Sequence, residues 1–249
     1  QGPRPTFRRQ IGEGLRFVDP MDATHMSVNL SAGHVSIHNG FKAFNLTCTS
    51  SITGGMEALL IAREQIESGR AAMAVAGALE GPLPGTTRNE CSSVVLIVEK
   101  AETAKLRGAR IYGYVGQSML NVYSVSKDVH LGRGRLAGRL ARDIRELLPR
   151  GIARVRLHFV HGPTAISAVM MEALLDALSI LDVRAAIAGD AGKGPADGCV
   201  APLNVCAASL LASGEGAGDE EEGSLIAAAG PDGELALQFL KGGCPATIG

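Results

Sequence analysis

Short apolar runs alternate with segments of helical period along most of this chain. Residues 72–79 and 92–99 predict buried strands, and residues 53–68 show apolar side chains at helical spacing after a Thr-Gly-Gly start. The second half of the sequence shows the same alternation of helices and strands. Helices are predicted at 138–148, 165–181 and 201–213, and strands at 154–161 and 183–188. A Gly-Pro-Asp-Gly turn joins two last strands, 224–229 and 234–240, as a hairpin. Strands that alternate with helices predict a layered α/β fold.

Composition limits the possible functions of the 249 residues. A net charge of -1, an aromatic content of 4% and the lack of tryptophan argue against a general nucleic-acid binder. No apolar run approaches the roughly 18 residues that span a membrane. The five cysteines form no C-x-x-C pair, which predicts reduced thiols in a cytoplasmic protein without a structural zinc site. No cofactor is expected.

The remaining segments give further local predictions. Residues 28–40 predict a helix that ends at Asn39-Gly40, and residues 44–48 and 111–117 predict strands. A polar stretch around Ser126 predicts a boundary between two halves, residues 3–126 and 127–249.

Four stretches together resemble the β-ketoacyl synthases, the condensing enzymes of fatty-acid and polyketide assembly. The most specific is GFKAFNLTCTSSITGGMEALLIAREQIESGRAAMAVAGALEG at 40–81, which resembles the family's nucleophile elbow, its long helix and its Ala-Gly-Gly strand. CSSVVLIVEKAETAKLRGARIYGYVG at 91–116 resembles the next block. VRLHFVHGPTA at 155–165 resembles the strand before the His-Gly-Thr-Gly-Thr motif, and AAIAGDAGKGPADGCVA at 185–201 resembles the Lys…Gly-His…Gly-Ala block. The resemblance implies a thiolase-like fold of two related layered α/β halves with mixed sheets, the first half shortened by its first strands.

The same alignment places other residues where the family keeps its catalytic groups. Ile52 stands at the position of the nucleophilic cysteine, and Pro195 stands at that of the second histidine. Asp190 replaces the lysine, whereas His161 matches the first histidine. Isoleucine cannot form the acyl thioester that condensation needs. The segment TGGMEAL at 53–59 also resembles the elbow of chain-length factors, non-catalytic subunits that pair with an active ketosynthase and limit chain length.

The resemblance therefore implies a non-catalytic subunit of polyketide or fatty-acid-type assembly that helps to shape the acyl tunnel. One alternative is an acyl-thioester hydrolase, cyclase or dehydratase with a reassigned pocket that uses Cys48 or His161. Another is a stand-alone module that binds a carrier protein. His34 and His38 share a helix face but lack a third ligand, so a packing role is expected and no metal site is predicted.

The resemblance also implies partners for this chain. Ketosynthase-like subunits pair through the strand before the elbow, here residues 44–48, so an active ketosynthase is the first expected partner and a second copy the alternative. The interface is expected to exceed about 1,600 Å² in total. An acyl carrier protein is a further expected partner, because Arg135, Arg139 and Arg142 share one helix face and carrier proteins are acidic. A solvated helix face is the alternative interpretation of these arginines.

Overall fold

The computed structural model describes residue 12 and residues 27–81, 91–124, 129–162, 164–188, 198–213 and 222–242. The chain divides into two units, Gln1–Thr49 with Gly81–Cys91 and Ser50–Glu80 with Ser92–Gly249. The predicted boundary near residue 126 lies outside the described residues and stays a prediction.

The first unit contains helix α1 (Leu30–Asn39) and a segment without helix or strand that follows it. Gly40 ends the helix in the left-handed conformation, with φ 67°, as the Asn-Gly signal predicts. The Asn45 side chain connects this segment to the helix. Its Nδ2 donates hydrogen bonds to the Ala32 carbonyl at 3.0 Å and to the Ser36 hydroxyl at 2.6 Å. No residue of α1 is buried.

The prediction of a strand at 44–48 is wrong for this structure. The segment forms no regular element and no strand pairing in the described part of the chain. Apolar alternation alone does not make a strand, because the backbone groups also need a neighbouring strand for hydrogen bonds. Phe44 and Leu46 remain 40% and 58% exposed.

The second unit holds the other elements, and their order confirms the predicted alternation. Its helices are α2 (Gly54–Glu67), α3 (Ala101–Leu106), α4 (Val129–Leu147), α5 (Ala165–Ile180) and α6 (Val200–Ser213). Its strands are β1 (Met73–Glu80), β2 (Ser92–Glu99), β3 (Gly113–Val122), β4 (Arg154–His161), β5 (Arg184–Ile187), β6 (Glu222–Ala229) and β7 (Glu234–Gly242).

A five-stranded mixed sheet, ordered β3-β7-β6-β4-β5, organises this unit. Strand β4 runs parallel to β5 and β6, whereas β7 runs antiparallel to β6 and β3. The central strand β6 is buried on both faces, which explains its continuous apolar run. Leu225 and Ala227 face a core with α4 and α5, while Ile226 and Ala228 face a second core with α2 and α6.

Strands β1 and β2 form a separate antiparallel sheet on the second core. The alternate residues Ala74, Ala76 and Ala78 pack inward against α2 and α6. The opposite side, which we call the outer sheet face, comprises Met73, Val75, Leu79, Val95 and Ile97, each at least 39% exposed. In the described part of the chain neither strand has another strand beside it. An exposed apolar face between unpaired edges is typical of an interaction surface.

One histidine inside the five-stranded sheet gives a pH prediction. His158 on β4 is partly buried, with Nε2 3.4 Å from the Ser209 hydroxyl, and burial followed by the nearby Arg156 charge lowers its pKa. Because an unfolded histidine titrates near about pH 6.5, the unfolded chain takes up this proton first as the pH falls. The free energy of unfolding should therefore decrease as the pH falls through about 6.5, and His158→Gln should weaken that dependence. Thermal unfolding of the wild type and of His158→Gln across this pH range measures the dependence. The variant His34→Gln, at an exposed position, is the control and should behave as the wild type does.

Candidate functional site

The N-termini of helices α2 and α6 meet, and together they form the candidate site. Ile52 and Thr53 immediately precede α2 and are 2% and 4% exposed. Gly54 and Gly55 open the helix, where a larger residue would not fit. A Cβ on Gly55 would lie 2.3 Å from the Cys199 carbonyl oxygen and 3.0 Å from the Leu203 Cβ. The Thr-Gly-Gly start thus allows the two helix ends to touch.

Glu80, the last residue of β1, holds the N-terminus of α6. Its Oε1 accepts a hydrogen bond from the Val200 amide at 2.8 Å, a favourable place for a carboxylate at a helix N-terminus. Gly198 provides the room, since a Cβ there would lie 1.7 Å from the same oxygen. Sequence analysis missed this contact because the two residues are 120 positions apart.

Cys199 is the thiol of this site, and its surroundings keep it protonated. Burial first, and then the Glu80 charge, raise the pKa of the thiol, although a helix N-terminus by itself would lower it. The sulfur lies 3.8 Å from the Leu79 carbonyl oxygen. A raised thiol pKa lowers the thiolate fraction, and the thiolate is the nucleophilic form of cysteine.

His161 ends β4 and is partly buried. Its Nδ1 lies 2.7 Å from the Gly162 carbonyl, which can only accept, so Nδ1 carries the proton and donates. The ring stacks at a tilt on Phe159, with ring centroids 5.2 Å apart. Both contacts are with residues next to His161 in the sequence, and together they orient its imidazole ring.

The other predicted site residues do not belong to the contact between the N-termini of α2 and α6. Cys48 is partly buried and belongs to the first unit, whereas Ile52 and His161 belong to the second. Pro195 and Asp190 lie outside the described residues. His34 and His38 are exposed on α1. Within the described ranges no group of three or more His, Cys, Asp or Glu side chains is arranged to hold a metal ion. No helix in those ranges is long and apolar enough to cross a membrane.

Residues 10–115 match the family model of the β-ketoacyl synthase N-terminal domain. No curated protein sequence matches the chain.

Several solved ketosynthases share the fold. A type II polyketide acyl-carrier protein in complex with its ketosynthase bound to the hexaketide gives a TM-score of 0.78 at 16% identity, over 95% of this chain and 71% of that one. The ishigamide ketosynthase/chain length factor gives 0.69 at 21% identity, over 94% and 67%. Ketosynthase twelve of the bacillaene synthase of Bacillus amyloliquefaciens gives 0.70 at 14% identity, over 97% and 53%.

These matches confirm the family resemblance and the predicted fold class. The chain spans between half and about seven-tenths of the length of these three structures. Residues 10–115 match the β-ketoacyl synthase N-terminal domain, and the chain shares the thiolase-like α/β fold of solved ketosynthases.

Proposed function

We propose that this chain is a non-catalytic, chain-length-factor-like subunit that pairs with an active ketosynthase in polyketide or fatty-acid-type assembly. The observation that carries the proposal is the buried Ile52 at the start of α2, where the family alignment requires a nucleophilic cysteine. A saturated hydrocarbon side chain cannot accept an acyl group. The chain would then serve its partner by shaping the space that receives the growing acyl chain.

The close packing at the helix ends supports a structural role. Gly55 touches the Cys199 backbone, and Glu80 already satisfies the Val200 amide. A donor used in this way is not available to stabilise the oxyanion of an acyl-transfer reaction. The protonated Cys199 thiol points to the same conclusion, because acyl transfer needs a thiolate.

Exposed apolar surface supports the need for a partner subunit. In the first unit, Ile37, Phe41 and Leu46 are 81%, 50% and 58% exposed. In the second unit, the outer sheet face adds Val95 and Ile97 at 61% and 66%. Apolar patches of this kind mark protein interfaces more often than free surfaces.

Reconstitution with an active ketosynthase tests the proposal. We expect the two chains together to build a product of defined length from acyl thioesters on a carrier protein, and neither chain alone to do so. Ile52→Val keeps a buried branched side chain and should retain product formation, whereas loss of the partner's nucleophilic cysteine should abolish it. Product formation by this chain alone, or the same products from the ketosynthase without it, would contradict the proposal.

A further inference from the structure

Strand β3 forms one edge of the five-stranded sheet and is the longest strand in the described part of the chain. It carries no charged side chain, and Tyr114 and Val122 are 37% and 73% exposed. A long, uncharged edge strand is a ready template for pairing with another chain. The strand at the opposite edge, β5, has only four residues and begins with Arg184, and both properties oppose such pairing. Strand β3 lacks these two protections.

A β-bulge interrupts β3 near its middle. The register of β3 with β7 shifts between Val115 and Ser118. As a result, Gly116 and Gln117 together lie opposite the single residue Phe239. A Cβ on Gly116 would lie 2.8 Å from a ring carbon of Phe239, so this close approach of the two strands requires glycine. A bulge of this kind leaves backbone groups without their regular partners in the ladder.

The side chain of Gln238 on β7 supplies the missing partners. Gln238 is 0% exposed, and its Nε2 donates to the Gly116 and Gln117 carbonyls at 3.1 and 3.3 Å. The same nitrogen donates to the Phe239 carbonyl, opposite the bulge, at 2.7 Å. The Oε1 accepts a hydrogen bond from the Ser118 hydroxyl at 2.5 Å. The buried amide is therefore satisfied at both ends, and it stabilises the bulge rather than a regular ladder.

The bulge changes what β3 presents at its free edge. In a regular strand, the carbonyl groups of two successive residues point toward opposite edges. Here the carbonyls of Gly116 and Gln117 both turn toward the Gln238 amide. The free edge thus lacks an acceptor near the middle of β3, so an incoming strand cannot pair along the whole length of the strand.

We propose that Gln238 protects the β3 edge, by holding the bulge in place, from pairing with a second copy of this chain. The inference depends only on the contacts between β3 and β7 in the second unit. It goes beyond the proposed function, because it involves neither the ketosynthase partner nor residues 44–48.

Deletion of Gln117 tests the inference, because it leaves Gly116 opposite Phe239 and restores a regular ladder. We expect the full chain with this deletion to self-associate at least fivefold more tightly than the wild type. Gln238→Leu, which removes the amide, should change self-association in the same direction. Adding Tyr114→Lys to the deletion should return it to the wild-type level, since a lysine on an edge strand opposes pairing. Sedimentation velocity at increasing protein concentration measures all four proteins.

Leu237→Ala is the control for destabilisation alone. Leu237 is 1% exposed and packs in the core with α4 and α5, so its truncation weakens the fold without removing a contact of the Gln238 amide. It should self-associate as the wild type does. Hydrogen exchange of the associated deletion variant should show new protection at residues 113–122.

Three results would overturn the inference. The first is a folded deletion variant that self-associates no more than the wild type, and if that variant does not fold, the same result for Gln238→Leu decides. The second is equal self-association of Gln238→Leu and Leu237→Ala. The third is an association of the deletion variant that Tyr114→Lys leaves unchanged.

Discussion

The variant Gly55→Val should be destabilised by about 3 kcal/mol or more, because overpacking costs most where the neighbouring atoms cannot move. The new Cβ would meet the Cys199 backbone oxygen at 2.3 Å and the Leu203 and Ala78 Cβ atoms at 3.0 and 3.3 Å. A backbone atom of one helix cannot rotate away from the other, so α2 and α6 must separate. Urea unfolding followed by circular dichroism measures the loss.

Gly138→Val is the matched control for this prediction. It makes the same chemical change inside helix α4, where, apart from the adjoining backbone of the helix itself, no described atom lies within 4 Å of the new Cβ. Its stability should stay within about 0.5 kcal/mol of the wild type, as valine and glycine differ little in helix propensity. Equal stability of the two variants would show that the helix ends do not touch as described.

The second large effect is expected at the apolar segment before the elbow. Leu46 is 58% exposed, so Leu46→Asp should leave the fold of the chain intact. It should nevertheless weaken pairing with the ketosynthase at least 100-fold, because the charge would have to be buried without a partner at the interface. Sedimentation velocity of the purified mixture measures the complex, and Thr103→Asp on the exposed side of α3 provides the control.

Two outcomes would remove the pairing argument. The first is a complex that survives Leu46→Asp with unchanged affinity. The second is a wild-type chain that sediments as a folded, soluble monomer at micromolar concentration. Either result would also remove the main reason to place residues 44–48 at a subunit interface.

Local sequence signals predicted most of the second unit. The strand at 92–99 has the predicted ends, and α5 and α6 differ from prediction by one residue at one end each. Helix α4 begins nine residues earlier than predicted, at Val129 rather than Gly138. The nine residues 129–137 include two glycines, which disfavour a helix and interrupt its apolar pattern. The six-residue helix α3 is too short for a periodic pattern.

The candidate site was predicted only in part, for physical reasons. The resemblance located Ile52 and His161 because both lie in motifs read along the chain. The Glu80 cap and the protonated Cys199 depend on contacts between β1 and α6, which are 120 residues apart in sequence. At residues 44–48 the sequence predicted a strand that the structure lacks. Their pattern is typical of a strand, but the described chain provides no neighbouring strand for them.

Native mass spectrometry of the complex with an active ketosynthase, after incubation with a short acyl thioester, tests the central claim most directly. The account predicts an assembly of one chain of each kind, with one acyl group on the ketosynthase subunit and none on this chain. An acyl group on this chain would contradict it, above all one that disappears in a Cys48→Ala or His161→Ala variant.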